Sequence, residues 1–153
     1  KKGKYKVVKK ITKNSTVNWT DKNLTGGKTY YYKIRSYADN GKKTKYGSYS
    51  SVTSAKAKVS GTKFTKVSSL NAKKVTLKWA KQDKADGYKI YRKTGKNGTY
   101  KAIKTISKTK TVSYTNGSLK SGTTYYYKIR TYKKVNGKIK YSAYSAEKRI
   151  QAK

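Results

Sequence analysis

Apolar and polar residues alternate one by one in short stretches of this chain, and no stretch repeats at the 3.6-residue period of a helix. In the last hundred residues the alternation predicts strands over Lys63–Ser69, Lys74–Ala80, Gly87–Lys93, Tyr100–Ser107, Thr111–Thr115, Thr123–Lys133 and Lys138–Gln151, the last interrupted. Turn signals separate them: Ala85-Asp86-Gly87, Gly95-Lys96-Asn97-Gly98, Asn116-Gly117 and Asn136-Gly137. Seven short strands without a helix predict an all-β, antiparallel β-sandwich. Along Thr123–Lys133 the pleat sends Tyr125, Tyr127, Ile129 and Thr131 inward, and Tyr126, Lys128, Arg130 and Tyr132 outward. Along Gly87–Lys93, Tyr88 and Ile90 point inward while Lys89, Tyr91 and Lys93 point outward.

Sliding the chain against itself by 95 residues pairs Gly3–Lys58 with Gly98–Lys153, and 26 of those 56 positions are identical. The strongest block sets GGKTYYYKIRSY, from Gly26 to Tyr37, against SGTTYYYKIRTY, from Ser121 to Tyr132. A shift of this size marks a repeated domain, since solenoid repeats run to roughly 20–50 residues. Residues 59–153 then form one complete unit, and residues 1–58 the C-terminal half of another. That half lacks the strands that would cover its sheet, so residue 1 is expected to be an artificial start. The alternative is completion by strands of another chain, as in the subunit of an extracellular filament.

Several motifs carry a family resemblance. Trp79 lies in VTLKWAK, and Gly87-Tyr88-Lys89-Ile90-Tyr91-Arg92 follows as the next strand. Leu119-x-x-Gly122-x-x-Tyr125 has a counterpart in Leu24-x-x-Gly27-x-x-Tyr30. Residues 59–153 resemble a fibronectin type III domain, and residues 1–58 resemble the second half of one. The resemblance implies an immunoglobulin-like sandwich of seven strands in tandem repeats, with Trp79 in its core. It also implies a tyrosine corner at Tyr125 and Tyr30, where the hydroxyl bonds to backbone a few residues upstream. The chain departs from the family's habit in having no proline. Lysine-heavy sequences of this kind are similar to tandem modules of secreted or wall-attached proteins in Gram-positive bacteria, which implies an extracellular, cell-surface or cell-wall location. In the family the strands over Gly87–Lys93 and Thr123–Lys133 are neighbours. One outer face is therefore expected to show Tyr91, Tyr126 and Tyr132 among Lys89, Lys93, Lys128 and Arg130. The first half offers Tyr31, Lys33, Arg35 and Tyr37 in the same places.

Composition changes this picture in two ways. Leu, Ile, Val and Phe together make up about 14% of the chain, a level at which highly charged chains usually stay unfolded. The 17 tyrosines must then supply the missing core area. The chain has no Cys, His, Met or Pro, which excludes disulfides, thiolate metal sites and any Ser-His-Asp triad. No apolar run approaches the ~20 residues that span a bilayer, so no membrane insertion is expected. The five acids, Asp21, Asp39, Asp83, Asp86 and Glu147, form no facing pair for acid–base catalysis and no calcium-binding cluster. Neither an enzyme nor a cofactor is expected.

Charge carries the functional signal: 41 Lys+Arg stand against 5 Asp+Glu, a formal +36. Such a surface gathers counterions or a polyanion, and otherwise repels itself. The expected partner is an anionic polymer, either teichoic acid or an acidic glycan, alongside further repeats of the same chain. Only four bases are arginine (Arg35, Arg92, Arg130 and Arg149), so nucleic acid would bind nonspecifically and in a salt-dependent way, without base readout. The Tyr/Lys strip supports a second reading, a recognition module for a glycan or host protein, in which rings stack on sugars while cations meet anions.

Overall fold

The computed structural model describes residues 3–69 and 73–153, and every regular element among them is a strand. In the first segment β1 (Thr29–Tyr32) pairs antiparallel with β4 (Thr53–Lys56), and β2 (Tyr37–Asp39) with β3 (Thr44–Tyr46). The rest of the chain folds as two facing sheets. One contains β5 (Phe64–Ser68), β6 (Val75–Trp79) and β9 (Ser113–Asn116), in the order β5-β6-β9. The other contains β7 (Gly87–Thr94), β8 (Lys101–Ile106), β10 (Thr124–Val135), β11 (Lys138–Tyr141) and β12 (Lys148–Gln151). Its order is β11-β10-β7-β8, and β12 also lies along β10. The last expected strand is indeed interrupted, between Tyr141 and Lys148.

The interruption has a local cause. Ile129 N–H donates to Ser145 Oγ and Thr131 N–H to Ser142 Oγ, each at 3.1 Å, where a straight strand would offer carbonyls. Ser142 and Ser145 N–H groups still donate to the carbonyls of Thr131 and Ile129. The chain thus stays bonded to β10 while leaving the ladder, a bulge that re-aims its side chains. Ser50 repeats the device in the first segment, accepting from Ile34 N–H at 3.1 Å.

The core fills from both inner faces: Val75, Leu77 and Trp79 from one sheet, and Tyr88, Ile90, Tyr127 and Ile129 from the other. Trp79 is 2% exposed and meets Tyr88 edge to face at 5.4 Å. Tyrosine serves here as a core residue because each buried hydroxyl finds a partner. Tyr88 donates to the Thr109 carbonyl and accepts from Gln82 N–H. Tyr127 donates to Asn116 Oδ1 at 3.0 Å; that oxygen also accepts from Arg92, which ties β7 to β9 across the sandwich.

Both tyrosine corners form. Tyr125 Oη accepts from Lys120 N–H at 3.0 Å, and Tyr30 Oη from Thr25 N–H at 2.8 Å. Gly122 and Gly27 hold φ at +73° and +86°, left-handed values that a side chain would strain. Among the described residues the first segment has the corner but no covering sheet. Ile34 is 69% exposed, whereas Ile129, its counterpart under the 95-residue shift, is fully buried.

Candidate functional site: the tyrosine and cation face

The outer face of β7 and β10 is a ladder of rings and cations. Register places Lys128 opposite Tyr91, Tyr126 opposite Lys93 and Arg130 opposite Lys89. The bulge after β11 then brings Tyr141 and Tyr144, three residues apart, over the same arginine. The Arg130 guanidinium lies 3.8 Å from the Tyr141 ring centroid, 4.6 Å from Tyr144 and 5.0 Å from Tyr91. Its Nη2 donates to Tyr91 Oη at 2.5 Å, while its Nε is buried without a partner. Further along, the Lys93 ammonium sits 4.8 Å over Tyr126 and 5.2 Å over Tyr100, and Lys128 lies 4.8 Å over Tyr100. Tyr100 also donates to Glu147, which Lys93 approaches at 3.5 Å. That hydrogen bond, helped by Lys93, holds the Glu147 carboxyl below its ordinary range against the effect of burial. Burial foremost, then Glu147, pushes Tyr100 well above the usual phenol range.

The first segment builds the same ladder. Arg35 lies 3.7 Å from Tyr46 and 4.6 Å from Tyr49, and Lys33 lies 3.6 Å from Tyr49 and 4.5 Å from Tyr5. Tyr31 is exposed there and Tyr37 half-buried, its hydroxyl donating to the Ile11 carbonyl.

Two of the expected strip residues are not presented to solvent. Tyr91 is 8% exposed and Tyr132 5%. Both take the outer face that alternation assigned, but rings from β11 and from the stretch after it cover them. Tyr144 packs edge-on against Tyr91 at 5.1 Å, and Tyr141 against Tyr132 at 6.3 Å. Tyr132 also lies across Gly87, where a Cβ would come within 2.7 Å of its ring. Lys89, Tyr126, Lys128 and Arg130 are half-buried. Sequence reasoning missed Tyr100, Tyr141, Tyr144 and Glu147. Three of the four carried a signal, because Tyr5, Tyr46 and Tyr49 are identical to Tyr100, Tyr141 and Tyr144 under the 95-residue shift.

Trp79 and Leu119 are buried, and Gly122 and Tyr125 make the corner that Leu24, Gly27 and Tyr30 repeat. The fibronectin type III domain family matches residues 59–148, well over half of the chain. The chain belongs to the fibronectin type III family. No curated protein matches it. Among solved structures it is similar to a β-1,2-glucanase from Parabacteroides distasonis at a TM-score of 0.51 and 18% identity, covering 60% of this chain but 12% of that one. A two-domain fibronectin type III segment of chicken tenascin aligns at a TM-score of 0.50 and 18% identity, over 80% of this chain and 65% of that one. A Fn3-like protein from Clostridium thermocellum aligns at 0.48 and 26% identity, over 61% and 93%. These likenesses concern the fold. Fibronectin type III domains are generally non-catalytic and commonly act as structural or spacer modules of extracellular or cell-surface proteins. Among the described residues no helix is long and apolar enough to cross a membrane.

Proposed function

We propose that this protein is a non-catalytic spacer of an extracellular, multi-repeat surface protein, half-repeat 1–58 followed by complete repeat 59–153. Its lysine-rich surface binds the anionic polymer of a cell wall, teichoic acid or an acidic glycan, by electrostatics. The observation that carries this reading is how few cations are neutralised. Among the described residues only Lys10, Lys81, Lys93 and Lys133 lie in ion pairs, with Asp39, Asp83, Glu147 and Asp86. The remaining acid, Asp21, accepts a hydrogen bond from Tyr32. Among the described residues the other cations have no carboxylate within 4 Å, which favours a polyanionic partner.

Retention on isolated Gram-positive walls, with and without teichoic acid, across a salt gradient tests this. Binding that needs the polymer and fades as salt rises supports it; no retention at low salt defeats it. The second reading, recognition of a glycan or protein through the tyrosine strip, draws on the partnerless Arg130 Nε. It requires binding that survives about 0.5 M salt, where screening lengths are a few ångström, and that is lost in Tyr126→Ala. Against it, the strip's cations already sit over its own rings, so a sugar would have to displace them.

A further inference from the structure

The two outer faces of the sandwich differ in chemistry. On the β7–β10 face rings and Glu147 engage the cations. The outer face of the β5–β6–β9 sheet has none of these groups. Val67, Leu77 and Trp79 point to the core, so their neighbours Lys66 and Lys78 point away from it, both exposed. Register sets Lys66 directly opposite Lys78, and Lys78 opposite Ser113. The next row on the same face runs Ser68, Thr76 and Thr115, with the two threonine hydroxyls 3.2 Å apart. Six adjoining positions thus hold two ammonium groups and four hydroxyls, with no carboxylate and no aromatic ring.

Directly opposed like charges destabilise a sheet. Among the described residues, Lys66 and Lys78 have neither a ring over them nor an acid within 4 Å. We propose that this face is the polyanion-docking surface of the protein, and that its occupant is a phosphodiester polymer of the wall. The inference rests on the anionic-polymer reading above and assigns it to one sheet. An anionic phosphate between the two ammonium groups converts their repulsion into two attractions, and the hydroxyl row offers donors to the next group along the polymer. The missing rings disfavour a ligand that must stack, and the missing arginine disfavours base readout.

The test measures binding of purified poly(glycerol phosphate) against salt for the whole chain and for two variants of equal charge, K66Q/K78Q and K42Q/K43Q. Each lost phosphate contact lowers the slope of log affinity against log salt by about 0.7–0.9. K66Q/K78Q is expected to lose about 1.5 from the slope, and K42Q/K43Q distinctly less. Equal losses in both would mean diffuse attraction and overturn the assignment, while leaving wall retention intact. No binding by the unaltered chain at 50 mM salt would overturn both. Heparin or duplex DNA bound as tightly as poly(glycerol phosphate), with the same slope, would overturn the choice of polymer. Lys78→Glu supplies an independent readout. It places an acid opposite Lys66, so its melting temperature should rise while polymer binding falls; an unchanged or lower melting temperature removes the premise of the proposal.

Discussion

A buried phenol is tolerable only where its hydroxyl is met, and this core meets Tyr88, Tyr125 and Tyr127 with a carbonyl, an amide N–H and an asparagine oxygen. That is how a chain so poor in aliphatic residues still builds an interior. Tyr125→Phe leaves Lys120 N–H without its acceptor, and about 1 kcal/mol of stability should go with it. Trp79→Ala opens a cavity against Tyr88, and by the behaviour of large-to-small core changes should cost about 3–5 kcal/mol. Urea denaturation of both variants checks this, and a neutral result at both positions would contradict the packing described. Gly87 is a third such position. A Cβ there would clash with the Ile106 carbonyl as well as the Tyr132 ring, so Gly87→Ala should destabilise too.

Among the elements, the entry to β7 is tied to β10 through one carboxylate. Asp86 accepts from Lys133 Nζ at 2.5 Å and from Lys134 N–H at 2.7 Å. Burial alone would raise its pKa, but these two donors outweigh burial and hold the carboxyl below its ordinary range. A carboxyl lowered in the folded state contributes stability above its unfolded pKa of about 3.9, and the contribution is lost as pH falls through the folded value. Asp86→Asn should therefore cost about 1 kcal/mol at pH 7, and the gap to the unaltered protein should close below about pH 4. Denaturation midpoints from pH 7 to pH 2 would show it; a gap that persists at pH 2 would mean the carboxylate's charge is not what matters. The bulge between β11 and β12 is the other decisive element. It puts Tyr141 and Tyr144 on one side of Arg130, a spacing that strict alternation forbids.

At the scale of the whole molecule, a net +36 on 17.3 kDa is a field that opposes compactness. Screening should relieve it. Raising sodium chloride from 10 mM to 0.3 M shrinks the Debye length from about 30 Å to well under 10 Å, so the melting temperature should rise across that range. A flat response would mean that the tyrosine rings and the few acids already absorb the repulsion. The same field argues that a polyanion, binding the folded form, would stabilise it further.

Alternation with a period of two is a property of the extended backbone, so the chain alone could specify which residues of Thr123–Lys133 share a face. The motifs that resemble the fibronectin type III family marked the tyrosine corners, whose hydrogen bonds close over five residues, and the core position of Trp79. Those features are local, or lean on one face only. Exposure is different. Whether Tyr91 and Tyr132 meet water depends on what lies over them: Tyr144, on a stretch aimed by the hydroxyls of Ser142 and Ser145, in the one case, and the β11 partner Tyr141 in the other. The opposition of Lys66 and Lys78 depends on register between two strands, offset by the bulge between Phe64 and Lys66. Neighbours along the chain determine direction; only neighbours in space determine cover and charge environment. This is why the tyrosine face was legible as a pattern and its caged cations were not.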